Sequence, residues 1–258
     1  MALSQRHLIR FTAWLCFFSS SAFCATAQNP STQQDIPATF RLIALGASEP
    51  FLYDISAGKP RHVYYGTNAF SDPLPIPNGG MLNFYRLGES TDPKLPPPRI
   101  PVAEIRVSTT ETRSILIVLI PGGLPGKPLP ILANGKPAEF SALVLDNSDT
   151  ASPANTMRVV SFSKRPTAVR WGPTVLQLNP FESKLIPYPE GTRARFELAT
   201  FLGNQWAPVI SNTQMISQGT KLTLFITDPR TASNTTDLLD LDIQQIVEVL
   251  PPPSPNGK

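Results

Sequence analysis

Short apolar segments recur along this chain, and each is cut off by proline or by a cluster of small polar residues. The clearest are Phe40–Leu45, Ile115–Ile120, Ala142–Leu145, Met157–Phe162, Arg193–Thr200 and Leu222–Thr227. They are too short for stable amphipathic helices and rich in β-branched and aromatic residues, which suit a pleated surface, so each predicts a strand. Arg193-Ala194-Arg195-Phe196-Glu197-Leu198 alternates polar and apolar, the pattern of a strand with one wet face. Ile115-Leu116-Ile117-Val118-Leu119-Ile120 does not alternate, and it predicts a central strand covered on both faces, bracketed by Arg113 and Pro121. Asn134-Gly135 predicts a tight hairpin turn in which both residues take positive φ. Ile243–Leu250 is read as a strand in preference to a short helix.

Part of this pattern occurs twice. Phe40-Arg41-Leu42-Ile43-Ala44-Leu45-Gly46 resembles Met157-Arg158-Val159-Val160-Ser161-Phe162-Ser163. Leu74-Pro75-Ile76-Pro77-Asn78-Gly79 resembles Ile186-Pro187-Tyr188-Pro189-Glu190-Gly191, and a phenylalanine follows each Gly at the same spacing, Phe84 and Phe196. Ile115–Pro121 then matches Leu222–Pro229 in the same order. Each unit is expected to close with a hairpin, Ile115–Ile120 with Phe140–Asp146 and Leu222–Thr227 with Ile243–Leu250. Units of roughly 100 residues are far longer than solenoid repeats, so a duplication of this size predicts tandem domains. Many short strands punctuated by turns predict an all-β chain of two tandem immunoglobulin-like β-sandwiches.

The N-terminus has a different pattern. Arg6 and Arg10 precede an apolar stretch, Phe11 to Phe23, and Ala25-Thr26-Ala27 follows as a cleavage signature. Basic, apolar and small residues in that order predict a signal peptide over residues 1–27. The stretch is interrupted by Ser19-Ser20-Ser21 and is shorter than a membrane span. Cys24 leaves a minor lipid-anchored reading open, against which stands the bulky Phe23 before it. The expected division is then a signal peptide at 1–27, a linker at 28–39, a first domain at 40–150, a second at 151–250 and a Pro-rich disordered tail at 251–258. The boundary between the domains falls in the turn-forming cluster Asn147–Asn155.

Composition matters chiefly through what cleavage would remove. Loss of Arg6 and Arg10 takes Lys+Arg from 22 to 20 against 19 Asp+Glu, so the remaining chain is nearly neutral. That gives no electrostatic case for nucleic acid or anionic lipid. Both cysteines, Cys16 and Cys24, lie in the signal, so cohesion is expected from burial without a disulfide. The 29 prolines follow the signal and disfavour long helices.

The strand Arg-Val-Val-Ser-Phe-Ser at 158–163, entered from Asp-Asn-Ser-Asp-Thr-Ala-Ser-Pro at 146–153, resembles a pattern in uncharacterised exported bacterial proteins with tandem β-sandwich domains. The likeness is best over residues 140–229 and weaker over 40–121. It implies that architecture and a bacterial envelope location, and no activity.

Candidate chemistry is sparse. His7 leaves with the signal, and His62 beside Arg61 reads as a solvated residue in a loop entering a strand. With the signal removed, clustered nitrogen and sulfur ligands for zinc, copper or iron are missing, as is a thiol nucleophile, and no Gly-rich phosphate loop occurs. Gly46-Ala47-Ser48-Glu49-Pro50 lacks the second glycine of a nucleophile elbow and reads as a turn. Glu104 with Glu111, or Asp237, Asp240 and Asp242, are the acids from which a carboxylate pair for glycoside hydrolysis would come. The aspartates have acidic spacing without the Gly-turned calcium loop. Tyr53, Tyr64, Tyr65, Tyr85, Trp171, Tyr188 and Trp206 are candidates for a sugar-stacking face, with core packing the favoured role, above all for Trp171. Asn234-Thr235-Thr236 is a glycosylation sequon, meaningful only on a eukaryotic secretory path.

These observations predict a non-enzymatic exported protein with a binding or structural role in the envelope, periplasmic or extracellular. No cofactor, metal or catalytic residue is assigned; its partner would be an unidentified envelope protein or a glycan, with no nucleic acid and no transmembrane span in the mature chain. Two further readings stay open: a carbohydrate-binding or carboxylate-dependent glycan-active protein, and a periplasmic chaperone or assembly factor.

Overall fold

Alternation of inward apolar and outward polar positions builds sixteen strands and no helix in the computed structural model, which describes residues 38–47, 50–56, 59–90, 94–108, 114–124, 127–229 and 241–250. The expected signal peptide with Cys24, the sequon and the C-terminal tail lie outside the described residues. In chain order the strands are β1 Thr39–Ala44, β2 Phe51–Ser56, β3 Lys59–Val63, β4 Leu74–Pro75, β5 Met81–Leu87, β6 Arg99–Arg106, β7 Ser114–Pro121 and β8 Phe140–Asp146. They continue as β9 Thr156–Ser161, β10 Thr167–Trp171, β11 Thr174–Leu178, β12 Ser183–Pro187, β13 Arg193–Leu202, β14 Gln205–Met215, β15 Thr220–Thr227 and β16 Asp242–Val249.

These form four sheets of four strands. The first eight strands give β4-β1-β7-β8 and β3-β2-β5-β6; the second eight give β12-β9-β15-β16 and β11-β10-β13-β14. Adding eight to each label of the first pair yields the second. Even the parallel contact recurs, β1 beside β7 and β9 beside β15, in otherwise antiparallel sheets. Both predicted hairpins form, β7 with β8 and β15 with β16, and residues 242–249 are strand.

Each sheet pair encloses its own core. In the first, Phe40 meets Tyr53 and Phe84 edge to face at 5.0 and 5.9 Å, over Leu42, Ile117 and Leu119. In the second, Trp171 packs edge-on to Phe196 at 6.1 Å, beside Val159, Leu198 and Leu224. Edge-to-face geometry sets the positive rim of one ring on the negative face of the next.

A third cluster explains why Ile115–Ile120 does not alternate. Ile115, Ile117 and Leu119 point into the first core. Leu116, Val118 and Ile120 point the other way, with Ile43, Leu45 and Phe70, onto Val160, Phe162, Phe225 and Ile246 of the second sheet pair. The sheets β4-β1-β7-β8 and β12-β9-β15-β16 therefore pack on each other, and their central strands are buried on both faces. The layers run outer, inner, inner, outer.

Two arginines at matching places in the chain sit in that junction. Arg41 on β1 lies 5.3 Å from the Phe70 ring, donates to the Ser71 carbonyl at 2.9 Å and pairs with Glu248 on β16. Arg158 on β9 donates to the carbonyls of Asp146 and Ala151 at 2.6 and 3.2 Å, tying down the connection between β8 and β9. Burial pushes both guanidinium pKa values down, opposed by Asp72 at Arg41 and by Asp146 at Arg158. Arg158 Nη1 has no hydrogen-bond partner among the described residues.

The Asn134-Gly135 turn corrects the expectation of two positive-φ residues. Of the two, only Gly135 has positive φ, 78°, and its N–H donates to the Leu132 carbonyl at 2.9 Å. The flanking segments meet in one isolated bridge, Ile131 with Pro137, because Pro130 and Pro137 carry no N–H to extend a ladder.

Candidate functional site

A hollow with an aromatic side chain at its rim lies on the outward face of β11-β10-β13-β14. Along β13, Ala194, Phe196, Leu198 and Thr200 are buried, while Arg195, Glu197, Ala199 and Phe201 face outward. Ala199 stands opposite Ala168 on β10, so the middle of this wet face has only methyl groups. Two small side chains between longer neighbours leave a hollow of about 220 Å³, lined by Ala168, Arg170, Val175, Gln177, Glu197 and Ala199, with Trp206 at its edge.

Trp206 is positioned by a two-residue hairpin. Gly203 and Asn204 have φ of 54° and 69°, as a type I′ turn requires, and the turn sets Trp206 opposite Phe201. The two rings meet edge to face at 5.3 Å, which holds the indole while leaving it 39% exposed. At the other end, Glu197 forms ion pairs with Arg170 Nε at 3.3 Å and Arg195 Nη2 at 2.5 Å and accepts from Ser211 Oγ at 3.4 Å. Three partners hold one carboxylate, and Gln177 and Arg170 supply further groups for hydrogen bonding. The hollow thus offers an apolar floor, an aromatic edge and a preset polar end. Its volume is below the roughly 300 Å³ at which pockets for drug-sized ligands begin, so a single small ring or chain end is the size it accepts.

This geometry places the sequence candidates as follows. Trp171 and Tyr53 are buried core residues. Tyr188 is half-buried, hydrogen-bonded to Thr220 Oγ1 at 3.0 Å, and its phenol pKa is raised by burial, partly offset by that bond. Tyr85 and Tyr65 are also half-buried. Tyr64 is exposed and stacks on His62 at 5.6 Å. His62 lies on β3, not in a loop before it: its neighbours pair with β2, and the ring is left at a sheet edge where it is exposed. A second hollow, about 290 Å³, is lined there by Arg61, His62, Tyr64, Ser71 and Asp72.

Of the acids, Glu104 receives the Ala133 N–H on both carboxylate oxygens at 3.1 Å and so holds down the β7–β8 connection. Asp242 begins β16, while Glu111, Asp237 and Asp240 lie outside the described residues. Glu197 is the single carboxylate that lines the Trp206 hollow. Among the described residues no three His, Cys, Asp or Glu side chains group as a metal site, and no helix is long and apolar enough to cross a membrane.

Sequence reasoning singled out Trp206 but not Arg170, Glu197, Ala168, Ala199, Val175 or Gln177. The available signal was alanine at outward positions of two strands, where solvated side chains are normally long. No family model matches this sequence, and a search of characterised proteins found no match.

Proposed function

We propose that the chain is an exported, non-catalytic binding protein, and that it holds a saccharide on the outer face of β11-β10-β13-β14. The observation that carries this reading is the half-exposed Trp206 ring beside an alanine-floored hollow whose far end is a fixed Arg170–Glu197 pair. A sugar ring has one apolar C–H face and a rim of hydroxyls. The indole suits the first, and planar guanidinium, carboxylate and amide groups suit the second. Hydrolysis by a carboxylate pair would require a second acid across the hollow, and Glu197 is the one carboxylate among its lining residues.

The N-terminal pattern supports delivery across a membrane to the cell envelope. The recurring strand order supports a duplication into two tandem immunoglobulin-like sandwiches, with the division near residue 150. The thin supply of catalytic groups supports a binding or structural role there.

Intrinsic tryptophan fluorescence titrated with a panel of mono- and oligosaccharides tests the site. Binding by the natural chain that is lost in Trp206→Ala, with no reducing sugar released on incubation, is the expected result. A blank panel, or equal binding by Trp206→Ala, removes the saccharide reading.

A further inference from the structure

The two sheet pairs differ at the seam where the last strand of each outer sheet runs beside the last strand of its inner sheet. In the first pair these are β6 and β8, and the seam is closed by backbone. Glu139 N–H, entering β8, donates to the Val102 carbonyl of β6 at 2.9 Å, and Leu132 and Ala138 from the preceding connection are buried. In the second pair the strands are β14 and β16. The bridge there among the described residues is a side-chain hydrogen bond, Gln245 Nε2 to Gln214 Oε1, at 2.9 Å.

Below that bridge is a cleft of about 100 Å³, lined by Trp171, Tyr188, Gln214, Ser217, Leu222 and Gln245. Trp171 is buried, and its indole N–H has no acceptor among the described residues. Val247 also lines the cleft and is 56% exposed; beyond it Val249 is 82% exposed, and Met215 across the seam is 68% exposed. Val247 and Val249 alternate with Ile246 and Glu248, which face the junction between the inner sheets, so the valines belong to the interior side of their sheet. They are core-facing positions that no described residue covers.

Among the described residues no strand pairs with the outer edge of β14. It is the longest strand, eleven residues, and carries no charge from Gln205 to Met215. Exposed edges are normally blunted by lysine, proline or shortness. Pro208 sits by the bulge opposite Leu198/Ala199, leaving the second half of β14 regular. Ile216 N–H bonds to the Thr192 carbonyl at 2.9 Å, which fixes the alternation: Ser211, Thr213 and Met215 turn their backbone N–H and C=O away from β13, toward the open side.

Charge indicates what fits. On β13, Arg195 stands opposite Thr213 and Arg193 opposite Met215, and Arg193 makes no ion pair among the described residues. Arg170 and Arg195 share one acid, Glu197, and Arg193 stands two residues before Arg195 on the same outward face. The short side chains of Ser211 and Thr213 let these arginines lean toward a strand laid beside β14, about 4.8 Å further on.

We propose that the seam between β14 and β16 is a strand-addition site that takes an extended peptide segment of alternating apolar and acidic side chains. The peptide backbone pairs with Ser211, Thr213 and Met215, its apolar side chains cover Val247, Val249 and the cleft, and its acids meet Arg193 and Arg195. Backbone pairing supplies affinity and the alternate side chains supply selection. A second copy of β14 fits less well, since it is uncharged and brings its own arginines.

The test uses the full chain and a fluorescently labelled Val-Glu-Val-Glu-Val-Glu-Val peptide, read by anisotropy. Saturable binding is expected, with no binding of the Val-Lys counterpart. Thr213→Pro removes an N–H that points away from β13, so it is expected to keep the melting temperature and weaken the peptide by at least about tenfold. Arg193→Glu is expected to weaken the Val-Glu peptide and admit the Val-Lys one, a readout independent of the proline substitution. Trp206→Ala is expected to leave peptide binding unchanged, which separates this site from the saccharide hollow. Absence of binding by the natural chain, or equal binding by Thr213→Pro, overturns the proposal. So does concentration-dependent dimerisation in sedimentation that Thr213→Pro abolishes, because a second copy is then the occupant.

Discussion

Replacing Phe225 with alanine probes whether the sheet pairs are one cooperative body. Phe225 is fully buried on β15, on the junction side of its sheet. Its ring meets Phe70 from the first eight strands edge-on at 6.4 Å, and stacks on Phe162 from its own half at 6.2 Å. Truncating a buried phenylalanine costs about 3–5 kcal/mol, from lost transfer energy and the cavity left behind. At about 2–4 °C per kcal/mol for a chain of this size, the melting temperature falls by roughly 6–20 °C. Of these two ring contacts the one with Phe70 crosses between the halves, worth about 1 kcal/mol beyond the apolar area buried in the shared cluster. The assay is amide hydrogen exchange followed strand by strand, with Leu198→Ala as comparison. Leu198 is equally buried but lies in the second core. Phe225→Ala is expected to lower protection in both β7 and β15, and Leu198→Ala chiefly in the second half. A loss under about 1 kcal/mol, or unchanged protection of β7, would refute the account of the junction.

Two further predictions concern backbone and titration. Gly80 has φ of +69° and a Cβ there would sit 2.2 Å from the Val107 carbonyl oxygen, while Gly191 has φ of +96° and open space around it. Gly80→Ala is expected to cost at least about 2–3 kcal/mol by urea denaturation, and Gly191→Ala about 1–2 kcal/mol; equal losses would contradict the role of the close approach. Tyr53 and Tyr188 have phenol pKa values raised by burial above the ordinary 10.0. Their contribution is therefore fully present below pH 10 and lost as pH rises through the folded-state values. Melting temperature against pH is expected to drop more steeply above pH 10 in the natural chain than in Tyr53→Phe with Tyr188→Phe.

The sequence disclosed the strands whose inward side chains are large and regular, such as β1, β7, β9, β13 and β15. It also disclosed that β7 is covered twice, since six consecutive aliphatics leave no face for water. It did not disclose β14. Pro208 interrupts Trp206–Ile210, and Ser211-Asn212-Thr213-Gln214 has no apolar position, both of which an edge strand with one neighbour tolerates. Since β14 carries Trp206 and the open seam, both candidate surfaces were hidden with it. Glu197 was visible as an alternating polar residue, but its partners Arg170 and Arg195 meet it only through the β10–β13–β14 register.

The junction between the inner sheets has a consequence beyond stability. Stacked sheets lie about 10 Å apart, so four layers hold the two outer faces roughly 30 Å from each other. Arg158 fastens the connecting segment to the strand that follows it, and Arg41 fastens β1 to β16. The outer faces of β3-β2-β5-β6 and β11-β10-β13-β14 thus look away from each other across two shared inner layers.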